Sequence, residues 1–246
     1  MEASQALQGH RALVTGAAVR LGRAFALALA RSGAAVAIHY GHSTDEARQT
    51  ARQIEEAGGA ASILQADLSN PHEAAELIGR AVAALGEVDL LVNSASIFES
   101  QRALDTSLDS WNAHLAINLT APFLLSQAFA RHRQDRDGTI VNILDWRALR
   151  PGPDHFAYTI TKAALAAMTH SLALAFAPNI RVNGLALGAI LPPAGGAADE
   201  GRIIAKVPLG RWASLEEVEN ALLFLLGGPE YITGTILHVD GGRQLA

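Results

Sequence analysis

Tyr158 and Lys162 stand four residues apart in the stretch Tyr158-Thr159-Ile160-Thr161-Lys162. Residues at that spacing share one face of a helix, so a phenol and an ammonium sit side by side. Positive charge beside a phenol favours the phenolate and lowers its pKa. Tyr158 is therefore read as a proton donor and acceptor working near neutral pH. By itself the pair is a weak signal, because a half-buried tyrosine and a solvated lysine also meet at this spacing by chance. Its weight comes from the groups around it.

A second set of residues suits a phosphate. The short apolar run Ala12–Thr15 stops at Gly16, and Arg20-Leu21-Gly22 follows before the Ala/Leu-rich helix Arg23–Arg31. Glycines after a first strand let the backbone approach a pyrophosphate, with the helix N-terminus supplying donors and a positive dipole. Arg20 takes the place of the middle glycine of the usual dinucleotide turn. The next strand ends His39-Tyr40-Gly41-His42-Ser43, with no acid before Asp45. A carboxylate there would bond a ribose 2′-hydroxyl and repel a 2′-phosphate. Arg20, His39 and Ser43 are donors to such a phosphate, which favours NADPH. His39 and His42 lack a third ligand nearby, so no metal is expected.

The positioning elements alternate. Strands are read at Ala35–Tyr40, Ser62–Ala66, Val88–Val92, Thr139–Leu144, Ile180–Leu187 and Thr235–Val239, after the first at Ala12–Thr15. Helices are read at Thr44–Ala57, His72–Leu85, Asp109–Leu119, Pro122–Arg133, His155–Phe176 and Ser214–Leu226, the last with a capping box Ser214…Glu217. Pro192–Gly201, rich in proline, glycine and alanine, reads as a mobile loop. This predicts an α/β fold: one doubly wound, Rossmann-type domain over residues 1–246 with a seven-stranded parallel sheet. Ligands of such sheets bind outside the carboxyl ends of the strands, where Gly16, Asp67, Asn93, Asp145 and Gly188 fall.

Composition sets outer bounds. Half of the 246 residues are apolar, 17% are charged and the formal net charge is −5, which argues against a general nucleic-acid surface. With no cysteine, disulfides, thiolate catalysis and zinc–thiolate sites are excluded. Met1–Arg11 is polar, without the apolar core of a signal peptide. The apolar run Ala24–Ala30 is far short of a membrane span. A cytoplasmic protein with no membrane partner is expected.

Taken together, Thr15-Gly16…Gly22, Asp67, Asn93-Ser94-Ala95, Asn118, Tyr158…Lys162, Arg181-Val182-Asn183 and Val239-Asp240-Gly241-Gly242 resemble the short-chain dehydrogenase/reductase family over nearly the whole chain. Within it the sequence looks like the pteridine and dihydromonapterin reductases. Arg20, the His39-Tyr40 strand end, Gln65-Ala66-Asp67-Leu68-Ser69-Asn70, Ser96-Ile97-Phe98, and Asp145 in the place of a commoner serine carry that likeness. The resemblance implies that Tyr158 is the catalytic acid/base, with Lys162 holding the nicotinamide ribose and lowering the Tyr158 pKa. Asn118 would kink its helix and position a water. Asp67 and Leu68 would face the adenine, and Asn93, Ser94 and Ala95 the ribose. Gly188 and Ile190 would border the nicotinamide, although Leu187-Gly188 departs from the usual Pro-Gly. Phe98 would stack on the pterin substrate, and Ser96 and Arg20 would reach substrate or cofactor phosphate. A homotetramer is implied, with the small-residue helix face at Ala163, Ala164, Ala166 and Ala167 in the interface.

Asp145 decides between substrate classes. An ionised carboxylate only accepts hydrogen bonds and would repel the growing alkoxide of a ketone. A pterin, with its amino and ring N–H groups, wants an acceptor. Burial under a stacked ring would raise the Asp145 pKa and let it share a proton with Tyr158. A plainer reading has Asp145 cap Trp146–Leu149 or pair with Arg147. The expected activity is NADPH-dependent reduction of a dihydropterin to its tetrahydro form, with reduction of oxidised pterins left open by the sequence. Reduction of another imine, a quinone or a carbonyl is the alternative, and non-catalytic NADPH binding a third reading.

Overall fold

The computed structural model describes residues 6–191 and 200–246. Seven strands form one parallel sheet in the order β3-β2-β1-β4-β5-β6-β7. They are β1 (Arg11–Val14), β2 (Ala35–Tyr40), β3 (Ala61–Gln65), β4 (Leu90–Asn93), β5 (Gly138–Asp145), β6 (Ile180–Leu187) and β7 (Ile236–Val239). The helices are α1 (Arg20–Arg31), α2 (Thr44–Glu56), α3 (Pro71–Leu85), α4 (Leu108–Leu115), α5 (Ala121–Arg133), α6 (Phe156–Ala175), α7 (Glu200–Ile204) and α8 (Leu215–Gly227). None among the described residues is long and apolar enough to cross a membrane. The order reverses between β1 and β4, which opens the crevice where doubly wound sheets take their ligands.

Side chains alternate across a strand, and both faces of this sheet are covered. On β1, Ala12 and Val14 join Phe25, Leu29, Val36, Leu222 and Leu225 on the α1/α8 side. Leu13 joins Leu77, Ile78, Leu125, Phe129 and Ile140 on the α3/α5 side. Near-continuous apolar strands are the expected signature of a sheet buried twice. Each fully buried leucine or phenylalanine contributes about 1.5–3 kcal/mol, so the frame holding the strand ends is stiff.

Helix starts follow local chemistry. Asn70 accepts from His72 N with Pro71 in the first turn, and Ser214 and Glu217 form the expected capping box. Expected boundaries move by a few residues. α1 starts at Arg20 rather than Arg23, and β4 runs Leu90–Asn93 rather than Val88–Val92. The break expected between Leu119 and Pro122 is instead a π-turn, Ala116–Thr120, joining α4 to α5. The expected loop 192–201 lies outside the described residues except at its end, where α7 begins. Phe129 is fully buried. Phe129→Ala should cost about 3–5 kcal/mol, read as a lower urea midpoint at unchanged slope.

Candidate functional site

β5 ends at Asp145, and thirteen residues later the first turns of α6 present Tyr158 and Lys162. Tyr158 Oη donates to Asp145 Oδ2 at 3.2 Å. The other carboxylate oxygen, Oδ1, accepts from Arg147 N at 2.8 Å and faces the Arg147 guanidinium at 3.6 Å. Asp145 thus caps the short 3₁₀ turn Trp146–Ala148, pairs with Arg147, and bonds Tyr158 all at once. The Phe98 ring lies edge-on to Tyr158, centroids 4.6 Å apart, and is 53% exposed.

One expectation about charge is overturned. Lys162 Nζ donates to the Ile143 carbonyl at 2.8 Å and lies 5.6 Å from the Tyr158 ring centre. Its pull on the phenol is outweighed. Burial, then the Asp145 charge and hydrogen bond, hold the Tyr158 pKa well above its ordinary value. Burial also brings the Lys162 ammonium down to about 8. Tyr158 therefore rests as a protonated phenol whose hydrogen is aimed at a carboxylate.

Asn118 sits buried in the π-turn. Its Oδ1 accepts from Ile97 N at 2.9 Å and Ser96 Oγ at 3.1 Å. Its Nδ2 donates to Ile97 O at 3.0 Å and Thr161 Oγ1 at 3.2 Å. The expected distortion of the helix is there, but the amide is fully used in tying the Ser96-Ile97-Phe98 loop to α6. Ser96 is exposed, with its hydroxyl donating to Asn118.

At the other end, Gly16 has φ +64, and a Cβ there would meet Ala95 Cα at 2.9 Å. A Cβ on Gly22 would meet Gly16 O at 2.1 Å. Only glycine lets α1 start this close to the turn. Arg20 is exposed at φ +51, and Leu21 packs partly against the core. The α1 N-cap, Val19, makes no side-chain hydrogen bond, and its first turn holds no acid. That leaves donors and a positive dipole facing outward, a fit for a pyrophosphate. Gly188 is equally constrained, because a Cβ would meet Asp240 Cα at 2.6 Å.

Several expected cofactor contacts turn out to be framework. His39 is 2% exposed. Its Nδ1 accepts from Gly16 N at 3.1 Å and its Nε2 faces Ala66 O at 3.1 Å. Both ring nitrogens are committed, so the expected donation to a phosphate is corrected to bracing of the glycine turn. Tyr40, Leu68 and Ile190 are buried in the core clusters. The Asn93 side chain turns into the sheet, Nδ2 donating to Asn142 Oδ1 at 2.8 Å, rather than toward a ribose. Ser94 N and Ala95 N both donate to Thr15 Oγ1, at 2.9 and 3.0 Å. Ser43 is the half-buried N-cap of α2, and Asp67 is a half-buried residue whose carboxylate accepts from Ser69 N and Oγ. Sequence reasoning missed Thr15 as the clamp across the crevice. It also missed Asp154 and His155, which sit in a stretch with no periodicity. A cleft of 450 Å³ near Gly188, lined by Ala189, Val207, Arg211, His238 and Asp240, stands apart from Tyr158.

A family model described as enoyl-(acyl carrier protein) reductase matches residues 16–244. The chain belongs to the short-chain dehydrogenase/reductase family. It is an oxidoreductase of that family, and the Rossmann-type sheet agrees with solved relatives. FolM alternative dihydrofolate reductase 1 from Brucella canis, complexed with NADP, superposes with TM-score 0.92 at 36% identity, over 99% of this chain and 97% of that one. A 3beta-hydroxysteroid dehydrogenase 1 of Eggerthella lenta is 36% identical, over 97% of this chain and 95% of its own length. A 3-oxoacyl-[acyl-carrier-protein] reductase of Synechocystis is 33% identical, over 98% and 99%.

The neutral His39 ring makes stability acid-sensitive. Burial lowers its pKa from 6.5 to about 4. The unfolded ring takes up a proton below pH 6.5 that the folded ring refuses until about pH 4, so stability is complete above 6.5 and drains away as pH falls through that window. The full swing is about 3 kcal/mol. Urea midpoints of wild type and His39→Gln, compared at pH 7 and pH 4.5, should differ in this sense, with the variant losing less on acidification.

Proposed function

We propose that the protein is an NADPH-dependent pterin reductase, taking a dihydropterin to its tetrahydro form. The observation that carries this is the Asp145 carboxylate, 3.2 Å from the Tyr158 hydroxyl, next to the exposed Phe98 ring. A carbonyl reductase needs a second donor toward the substrate oxygen at this position. A carboxylate supplies only acceptor capacity, which suits the amino and ring N–H groups of a pterin. Phe98 offers a flat apolar face for a bicyclic ring. The Brucella canis FolM structure, complexed with NADP, supports the same reading. Relatives of comparable identity are named for a steroid and an acyl-carrier-protein substrate, so the substrate assignment leans on Asp145 and Phe98.

The residues fit a dinucleotide carrying a 2′-phosphate. The first turn of α1 would take the pyrophosphate, and the end of β2 offers no acid before Asp45. When bound, the reduced nicotinamide supplies the hydride. The chain handles the proton. Tyr158, kept protonated by burial and by Asp145, donates at the substrate nitrogen as negative charge grows there. Asp145 orients the phenol and accepts from substrate N–H groups. Lys162, braced on the Ile143 carbonyl, places a cation below the phenol and offsets the charge left behind. A homotetramer in the cytoplasm completes this reading.

NADPH oxidation in the presence of dihydrobiopterin or dihydromonapterin tests it. The wild type should turn over at least one of them, and faster with NADPH than with NADH. Tyr158→Phe should lower kcat about 100-fold or more while cofactor binding persists. Asp145→Ser should lose pterin turnover and gain on ketones. Good wild-type turnover of a ketone with none of a pterin overturns the proposal.

A further inference from the structure

The segment between β5 and α6 adds groups that the proton chemistry above leaves unused. Arg147 Nη2 donates to Asp154 Oδ2 at 3.3 Å, and the same oxygen accepts from His155 Nδ1 at 3.1 Å. The His155 ring lies flat against Phe98, centroids 4.0 Å apart and planes 11° off parallel. Arg147 Cζ also lies 5.6 Å from the Phe98 centroid. Contacts therefore close a circuit: Tyr158 to Asp145, Asp145 to Arg147, Arg147 to Asp154, Asp154 to His155, His155 to Phe98, and Phe98 back to Tyr158.

His155 is held with unusual firmness for a residue at the start of a helix. Its φ is +52, a left-handed conformation that costs a non-glycine residue about 1 kcal/mol or more. Phe156 N donates to Gln101 O and Thr159 N to His155 O, which fix both ends of the peptide that follows His155. Asp154 fixes the ring from Nδ1. Although burial alone would raise it, the Arg147 guanidinium keeps the Asp154 carboxyl below its ordinary range, so Nδ1 carries the hydrogen and Nε2 the lone pair. Nε2 has no protein partner among the described residues and is not sealed from solvent. The ring stacked on Phe98 therefore carries an oriented acceptor.

We propose that His155 is a specificity-determining residue, whose Nε2 accepts a hydrogen bond from an N–H or O–H group on the edge of the flat substrate held beside Phe98. The substrate class is one that presents a donor on that edge, as an aminopyrimidine ring or a vicinal hydroxyl does. A ketone without such a donor gains nothing from it. The identity of the ring rests on the pterin reading, but the role of His155 does not.

The role has a pH signature. Groups facing the ring are Asp154, Arg147, Asp145 and, across Phe98, Tyr158. Burial, then Arg147, lowers the His155 pKa from 6.5 against the pull of the two carboxylates. The acceptor is thus intact at neutral pH and lost as the ring protonates in acid.

Three proteins test the proposal: wild type, His155→Phe and His155→Gln. Phenylalanine keeps the stack and removes the acceptor, and glutamine restores an acceptor that does not titrate. With a substrate bearing the edge donor, His155→Phe should raise KM about tenfold, the loss of one hydrogen bond, with kcat within about twofold. The wild-type KM should climb on acidification below the ordinary histidine pKa of 6.5, and that limb should be missing in both variants. His155→Gln should recover most of the KM. A shared KM and a shared acid limb in all three proteins overturns the role. Failure of the pterin reading looks different, since the wild type then turns over no pterin. The same comparison is then read on whichever imine, quinone or carbonyl compound it reduces.

Discussion

A phenol buried against a carboxylate constrains the rest of the site. Tyr158 and Asp145 lie within hydrogen-bonding distance in a region of low water content, so the pair carries one negative charge between them more cheaply than two. That charge needs cations close by. Arg147 meets it from the 3₁₀ turn and Lys162 from the next turn of α6. Lys162 is itself expensive to bury and is stabilised by the Ile143 carbonyl, two strand residues before Asp145. The polar groups of the site form one interdependent set, and each exists in its present state because of its neighbours.

The sheet supplies the tolerance that set requires. Asn93, Asn142 and Thr169 bridge β4, β5 and α6 through buried hydrogen bonds of 2.8 and 2.9 Å. Thr15 ties β1 to the residues after β4, and Asn118 ties the following loop to α6. The Thr15 and Asn118 clamps lie at the carboxyl ends of the central strands. Apolar burial on both faces gives the frame its stiffness, and the side-chain amides and hydroxyls fix its spacing.

Much of this frame was readable from residue order, because strand and helix differ in hydrophobic period and several elements are bounded by glycine, proline or a cap. Asp145, Phe98 and Tyr158 were also readable as a group, and the structure brings them together. What escaped was direction. Side chains at a strand end point alternately to the two sides, so His39, Tyr40 and Asn93 turned inward where outward contacts were expected. Four-residue spacing placed Lys162 near Tyr158, but the reach of its side chain to the Ile143 carbonyl depends on where β5 runs. Asp154 and His155 carry no signature, since their arrangement arises from a left-handed backbone angle in an aperiodic loop. The pKa of Tyr158 went the opposite way for the same reason: it follows burial, which spacing does not report.

The π-turn at Ala116–Thr120 has a consequence for how this chain tolerates change in length. One residue more than an α-helical turn needs is accommodated there. Removing the surplus residue would leave a regular helix with α4 and α5 still in phase, so Leu125 and Phe129 would keep their places on the α3 side of the sheet. In a regular helix the same deletion would turn everything beyond it by about 100°. The cost here is local, because the Asn118 amide holds the Ile97 backbone from within the turn. The irregular stretch is thus the one place along these helices where a shortened chain keeps its phase.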